Sequence, residues 1–243
     1  MVKFQAYAWE ARDVDDSDYL ISIFGRTADN KSVCVTTAFR PYFYVKLDKN
    51  ISETTMRLTF QKIQHACPSV QSYEVLNSKD LWGFQNSQKF PYMKLNFRTL
   101  SQMKLCDRKL SRPLKDEAYP MKVYESNIDP FLRFMHRTGI NSTGWIDTGD
   151  KCIRNNLAHV DIDLFCNDWK HLKPADDIRG NAPFVVASFD IETYSHDGAF
   201  PSPDEIENSV FQIGITLKRL GETDIFNHTC LCLKDTDAVD GAE

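Results

Sequence analysis

Hydrophobic positions along the chain come in short runs separated by turn residues, and their spacing changes several times. Tyr19 to Phe24, Val33 to Thr37 and Tyr42 to Leu47 are β-branched and aromatic, which predicts three strands. From Ser52 to Cys67 the period lengthens: Met56, Phe60, Ile63 and Cys67 fall on one face of a helix that Pro68 ends. Pro91 to Phe97 reads as a strand and Ser101 to Leu110 as a helix. Asp129 is placed to cap a helix over Pro130 to Thr138, with Pro at its first position and Gly139 at its end. Phe131, Phe134 and Met135 follow helical spacing there and are predicted to face a core rather than a ligand. Alternation from Ala158 to Leu164 suggests another strand, with Asp161 and Asp163 turned to solvent. Strands and helices in separate runs predict an α+β chain that is richer in β.

The last part of the chain is simpler. Phe184 to Phe189 is apolar and suits a buried strand, and Val210 to Leu217 and Ile225 to Leu233 follow after turns, so three strands form a meander. Two acids, Asp190 and Glu192, interrupt the first of these. Side chains two apart on a strand share a face, so these carboxylates stand together about 7 Å apart, while Phe189 and Ile191 take the other face. A pair of that kind can converge on one or two divalent cations. With 24 Asp and 10 Glu in 243 residues, about one Asp-x-Glu arises by chance, so the tripeptide gains weight only from the strand around it.

Charge divides the chain. Residues 183–243 hold 12 acids and 3 bases, and residues 1–182 hold 26 bases and 22 acids, so the overall net of −5 joins an acidic end to a mildly basic beginning. Eleven bases against five acids lie between Lys89 and Arg137. Lys94, Arg98, Lys104, Arg108 and Lys109 occur there near Phe90, Tyr92 and Phe97, a mixture suited to phosphate contact and base stacking, and equally to a basic surface over a core. The seven Cys are scattered without a Cys-x-x-Cys pair, and Cys230 and Cys232 read as reduced residues of a buried strand face. No apolar run is long enough to cross a membrane and no early segment resembles a signal peptide, which predicts an intracellular protein with no membrane partner.

The segment Phe189-Asp190-Ile191-Glu192-Thr193, with the loop and strand that follow it to Arg219, resembles the first exonuclease motif of family B DNA polymerases, in particular the eukaryotic delta type and its relatives in large DNA viruses. Residues 37–47 (TAFRPYFYVKL) and 123–140 (VYESNIDPFLRFMHRTGI) are similar to N-terminal segments of the same family, in the same order. The resemblance implies an N-terminal domain over residues 1–182 and, from 183 to 243, the first strands of a ribonuclease H-like 3′-to-5′ exonuclease domain. It implies that Asp190 bridges two Mg2+ ions and Glu192 binds one of them, one cation acidifying the attacking water and the other stabilising the departing 3′ oxygen. It implies DNA as partner, as a single-stranded 3′ end and as primer-template, together with the remainder of the polymerase and a sliding clamp or accessory subunits. The location it implies is the nucleus for a cellular source and the infected cell for a viral one.

The family completes this site with two further aspartates. The first follows an Asn and Phe and the second a Tyr. Asp235, Asp237 and Asp240 lack those surroundings and read as a solvated loop. The expectation is therefore the N-terminal portion of a larger polymerase, a truncated gene product or one piece of a split enzyme, not a competent nuclease by itself, since half a ligand set holds metal weakly. His196 is left without a role, Gln212 reads as structural, and Phe200 with Pro201 would shape the entry for a frayed 3′ end. A stand-alone exonuclease of the same superfamily and a non-catalytic nucleic-acid-binding module are the alternatives.

Overall fold

The computed structural model of the chain describes residues 1–80, 83–115 and 117–234. It divides into two compact units, one made of Met1–Thr27 and Lys31–Ile178, the other of Ala28–Asn30 and the chain from Arg179 onward.

The first unit opens with an antiparallel meander, β1 (Lys3–Val14), β2 (Asp18–Arg26) and β3 (Ser32–Ala38). β4 (Tyr42–Lys46), helix α1 (Glu53–Ala66), β5 (Ser72–Ser78), β6 (Phe90–Asn96), helix α2 (Leu100–Leu110) and β7 (Val123–Tyr124) follow. Helix α3 (Pro130–Thr138) leads into β8 (Trp145–Asp147), β9 (Ile153–Arg154), β10 (Ile162–Cys166), a 3-10 turn at Trp169–His171 and β11 (Lys173–Pro174). These strands make two sheets, one of order β11-β8-β1-β2-β3-β10-β9 and one of order β5-β6-β4-β7. β10 joins β3 in parallel, while the other pairings are antiparallel.

Each sheet has its own core. Phe4, Ile21, Ile23, Val35 and Ile146 of the larger sheet close over Phe39 and over Phe134 of α3, whose rings meet edge to face at 5.8 Å. In the smaller sheet, Phe43, Val45, Met93 and Leu95 point to one side and pack on Ile63 of α1 and on Met103, Cys106 and Leu110 of α2. The alternation of a strand then sends Tyr42, Tyr44 and Lys94 to the side opposite the helices. The caps follow the sequence signals closely: Ser52 accepts from Thr55 N on α1, Asp129 from Phe131 N on α3, and Gly139 ends α3 in the left-handed region at φ 71°.

The second unit is a three-stranded antiparallel sheet, β12 (Val185–Tyr194), β13 (Ser209–Arg219) and β14 (Ile225–Cys232), in that order.

Four expectations need correction. β1 and β5 have no counterpart in the sequence reading, because the Ala, Glu, Arg and Asp of β1 and the polar residues of β5 hide their alternation. The strand near residue 160 begins only at Ile162, and Asp163 is buried, its Oδ2 accepting from Leu157 N at 2.7 Å and Ala158 N at 2.9 Å. β12 is exposed along its whole length, with Phe189 at 74 %. Cys230 and Cys232 are exposed too, on the edge strand β14, with their sulfurs 3.8 Å apart. Both of these last differences concern the outer strands of one sheet, β12 and β14, which are exposed along their whole length. Cys152 and Cys166 are joined in a disulfide at the edge of the larger core.

Candidate functional site

The register of the second sheet fixes what surrounds the acidic pair. Asp190 lies opposite Gly214, which lies opposite Cys230, and Glu192 lies opposite Gln212 and then Cys232. Directly paired residues of antiparallel strands share a face, so this face carries Ser188, Asp190, Glu192, Thr216, Gln212 and His228. The reverse face carries Phe189 and Ile191 with Ile213, Ile215 and Leu231. Cys230 and Cys232 stand on the acidic face as well, and Asn227 and Thr229 on the reverse, so polar and apolar positions are separated between β12 and the middle of β13 but mixed on β14. The register shifts after Glu192, so the strand is bent just beyond the second acid.

Both carboxylates are exposed. Asp190 Oδ1 accepts a bond from the next backbone amide, Ile191 N, at 3.0 Å. Among the described residues neither acid is held by Lys, Arg or His, which leaves oxygen lone pairs for an outside cation. A Cβ built on Gly214 would meet nothing within 4 Å, so the space beside Asp190 is open. Hard oxygen donors on one face suit Mg2+ or Mn2+, and the exposure leaves room for waters and phosphate oxygens to fill the remaining positions. Among the described residues no three His, Cys, Asp or Glu side chains come together as a metal site. The donor set is therefore right in kind and two in number. Asp235, Asp237 and Asp240 lie outside the described residues.

The loop after β12 does not return a base to the acids. His196 Nε2 stands 3.4 Å from Glu207. Asp197 accepts from Ser195 Oγ at 2.6 Å and Ala199 N at 2.9 Å, and these bonds hold its carboxyl below its ordinary range. Phe200 stands 97 % exposed at the tip.

The basic residues of the first unit do not form one patch. Lys94 is on the open side of the smaller sheet, 3.2 Å from Glu74 and 4.3 Å above the Tyr42 ring. Lys104, Arg108 and Lys109 are exposed on α2, on the helix-covered side. Lys109 Nζ donates to Ala66 O at 2.7 Å, closing the C-terminus of α1, and Arg98 Nε donates to Gln71 at 3.2 Å. Proximity in sequence concealed that a strand and a helix on opposite sides of a sheet carry these charges.

Against known proteins, the chain matches the family described as DNA polymerase family B, exonuclease domain, over residues 121–242. It is 30 % identical to a DNA polymerase of Paramecium bursaria Chlorella virus NY2A across 97 % of this chain and 25 % of that protein. It is 29 % identical to a DNA polymerase of Acanthamoeba polyphaga mimivirus across 98 % of this chain and 15 % of that protein. The chain thus spans a quarter or less of the length of these relatives. Among solved structures, the family B DNA polymerase of Pyrobaculum calidifontis shares the fold with a TM-score of 0.68 at 18 % identity, over 96 % of this chain and 27 % of that one.

Proposed function

This chain belongs to the family B DNA polymerases, and from that premise we propose that it supplies the first acidic strand of a 3′-to-5′ proofreading exonuclease within a DNA-directed DNA polymerase. The observation that carries the reading is the placement of Asp190 and Glu192 side by side on one exposed, polar strand face, free of internal cations and beside the open position at Gly214. Residues 1–182 are the N-terminal domain in this reading and residues 183–243 begin the exonuclease domain. The swing from a basic to an acidic composition at that point supports the division.

Asp190 and Glu192 would hold the divalent cations, Asp190 shared between two and Glu192 on one. When bound, such a cation neutralises charge on a phosphodiester and acidifies a water molecule. The strand itself does the positioning: β13 fixes β12 through a continuous ladder from Val185 to Glu192, so both carboxylates are carried on a backbone that cannot rotate independently. The two donors found among the described residues would hold a cation weakly, so in this reading the chain on its own is not a competent nuclease. DNA is the partner, met as a single-stranded 3′ end at this face and as primer-template by the polymerase. Lys94, Arg98, Lys104, Arg108, Lys109 and Phe200 are candidates for contact with it. The stand-alone exonuclease and the non-catalytic module fit less well, because relatives matched across nearly the whole chain are named DNA polymerases.

In a full-length family B polymerase that carries this segment, Asp190→Ala with Glu192→Ala is expected to reduce Mg2+-dependent trimming of a mismatched 3′ end to background while primer extension persists. Trimming that survives both substitutions refutes the assignment. For the 243-residue chain alone, stepwise 3′ shortening of a labelled single strand would refute its incompetence as a nuclease.

A further inference from the structure

Cys152 and Cys166 are set against each other by the strand ladder as well as by the bond that joins them. β9 runs antiparallel to β10, with Arg154 opposite Leu164 and Ile153 opposite Phe165. Asn155 N donates to Asp163 O at 2.8 Å, so residues 155 and 163 form a hydrogen-bonded pair. The two kinds of pair alternate along an antiparallel ladder, which makes residues 152 and 166 a non-hydrogen-bonded pair, the kind in which side chains come closest. Their Cα atoms are 4.3 Å apart. The register therefore presents the two sulfurs to each other, so that a broken bond can reclose.

The two cysteines differ in how they are held and in what can reach them. Cys166 is fully buried on β10, which pairs with β3 from Ile162 to Cys166, and its carbonyl accepts from Thr37 Oγ1 at 2.8 Å. Cys152 is half-buried and precedes a strand of two residues. Its sulfur lies 3.3 Å from Thr148 O, an acceptor that a free thiol can use. From Asn155 onward the chain has other ties, since Asp163 Oδ2 accepts from Leu157 N and Ala158 N. Before it, Gly149 N donates to Asp147 Oδ1 at 2.8 Å. Among the described residues, 150–154 are held by the short β9 ladder and the disulfide.

We propose that Cys152 and Cys166 are a reversible thiol-disulfide pair whose oxidation state latches or releases residues 150–154. Cys152 is the site that exchanges with a low-molecular-weight disulfide such as oxidised glutathione, and Cys166 is the resolving thiol. The Cys152 thiolate, its proton given to solvent, attacks one sulfur of glutathione disulfide. A bond from Cys152 to glutathione forms, the glutathione S–S bond breaks, and the departing thiolate takes up a proton. The Cys166 thiolate then attacks the Cys152 sulfur and expels the second glutathione. Two cysteine thiols lose two electrons and two protons, and one glutathione disulfide becomes two glutathione thiols. Excess reduced glutathione runs the same steps backwards. Release of an edge strand of two residues leaves the rest of the larger sheet paired. No residue of the second unit takes part, so the pair stands apart from the exonuclease reading.

The test uses the 243-residue chain with Cys230→Ser and Cys232→Ser, which removes the two exposed thiols of β14. It is equilibrated in mixtures of reduced and oxidised glutathione, quenched by alkylation and mapped by mass spectrometry, with circular dichroism to check the fold. The link from Cys152 to Cys166 is expected to open and re-form as the mixture changes. With Cys166→Ala added, oxidised glutathione should leave one glutathione on Cys152; with Cys152→Ser added instead, Cys166 should take up about tenfold less. Trypsin should cut after Lys151 and Arg154 about tenfold faster in the reduced chain than in the oxidised one, and equally fast under both conditions in the Cys152→Ser variant. The link and the trypsin rates are read with both cysteines in place, so they decide the matter even where Cys166→Ala unfolds. A pair that stays reduced in oxidised glutathione overturns the proposal, as does a link that resists dithiothreitol in the folded chain. Glutathione found on Cys166 as readily as on Cys152, or equal cutting in both oxidation states, overturns it too.

Discussion

Arg133 is only 6 % exposed, a position that a charged side chain holds when every part of it is engaged. Its Nη1 donates to Glu125 Oε2 at 2.8 Å, its Nη2 to the Glu125 carbonyl at 3.0 Å, and its guanidinium lies 4.1 Å from the Tyr42 ring centroid. Removing one partner of a fully buried pair costs about 3–5 kcal/mol, but Glu125 is 37 % exposed in its side chain and can return to water. Arg133→Ala is therefore expected to lower unfolding free energy by about 2 kcal/mol in urea titrations; a change near zero would mean the stacking and both bonds are replaced by solvent at no cost. Pattern reading goes wrong at this scale where a carboxylate has local work to do. Asp161 and Asp163 alternate just as Asp190 and Glu192 do, yet Asp161 ties down Ser32 through its amide and hydroxyl, and Asp163 turns inward to bond two backbone amides. Asp190 and Glu192 could be singled out in the sequence because the apolar run and the turn-linked strands around them match the family's first exonuclease motif, which the surroundings of Asp161 and Asp163 do not.

Helix α2 shows the same limit one level up. Its sequence supplies Thr99, which accepts from Gln102 N at 3.2 Å, but the more extensive cap comes from β1: Asp13 accepts from Leu100 N at 2.7 Å, from Ser101 N at 2.9 Å and from Ser101 Oγ at 2.7 Å. A carboxylate at a helix N-terminus satisfies otherwise orphaned amides and opposes the helix dipole. Asp13→Ala should cost about 1–2 kcal/mol by chemical denaturation, more than an ordinary surface substitution; a loss within about 0.5 kcal/mol would assign the cap to Thr99 alone. Periodicity within a segment cannot reveal a cap lent by a strand 87 residues away in sequence. Gly25 is a second case, since a Cβ there would strike the Gln5 carbonyl and the Phe4 ring. Gly25→Ala is expected to destabilise by about 1–3 kcal/mol, because backbone on one side cannot yield. The helices α1 and α3 were legible because their caps and stops are local; β1 was not, because its partners on both sides are what make it a strand.

The two units differ in how they hold themselves together, and the difference is measurable. The first buries two cores under helices, whereas the second has three strands whose apolar face, Phe189 and Ile191 included, is exposed among the described residues. Backbone ladders without a covered face open readily. Amides of β12 to β14 should therefore exchange with deuterium well before those of β2, β3, β4 and β6; equal protection in both units would show that the second sheet is covered in solution. That same openness is what makes Asp190 and Glu192 reachable by ions. Mn2+ prefers the oxygen donors that Mg2+ takes and broadens NMR signals close to it, so titrating the 243-residue chain with sub-stoichiometric Mn2+ is the most direct test of the acidic pair as a cation site. Selective broadening of β12 amides around Asp190 to Glu192, reversed by excess Mg2+ and absent from Asp190→Asn with Glu192→Gln, is the expected result. Broadening centred on other acids, or unchanged in the double variant, would contradict it.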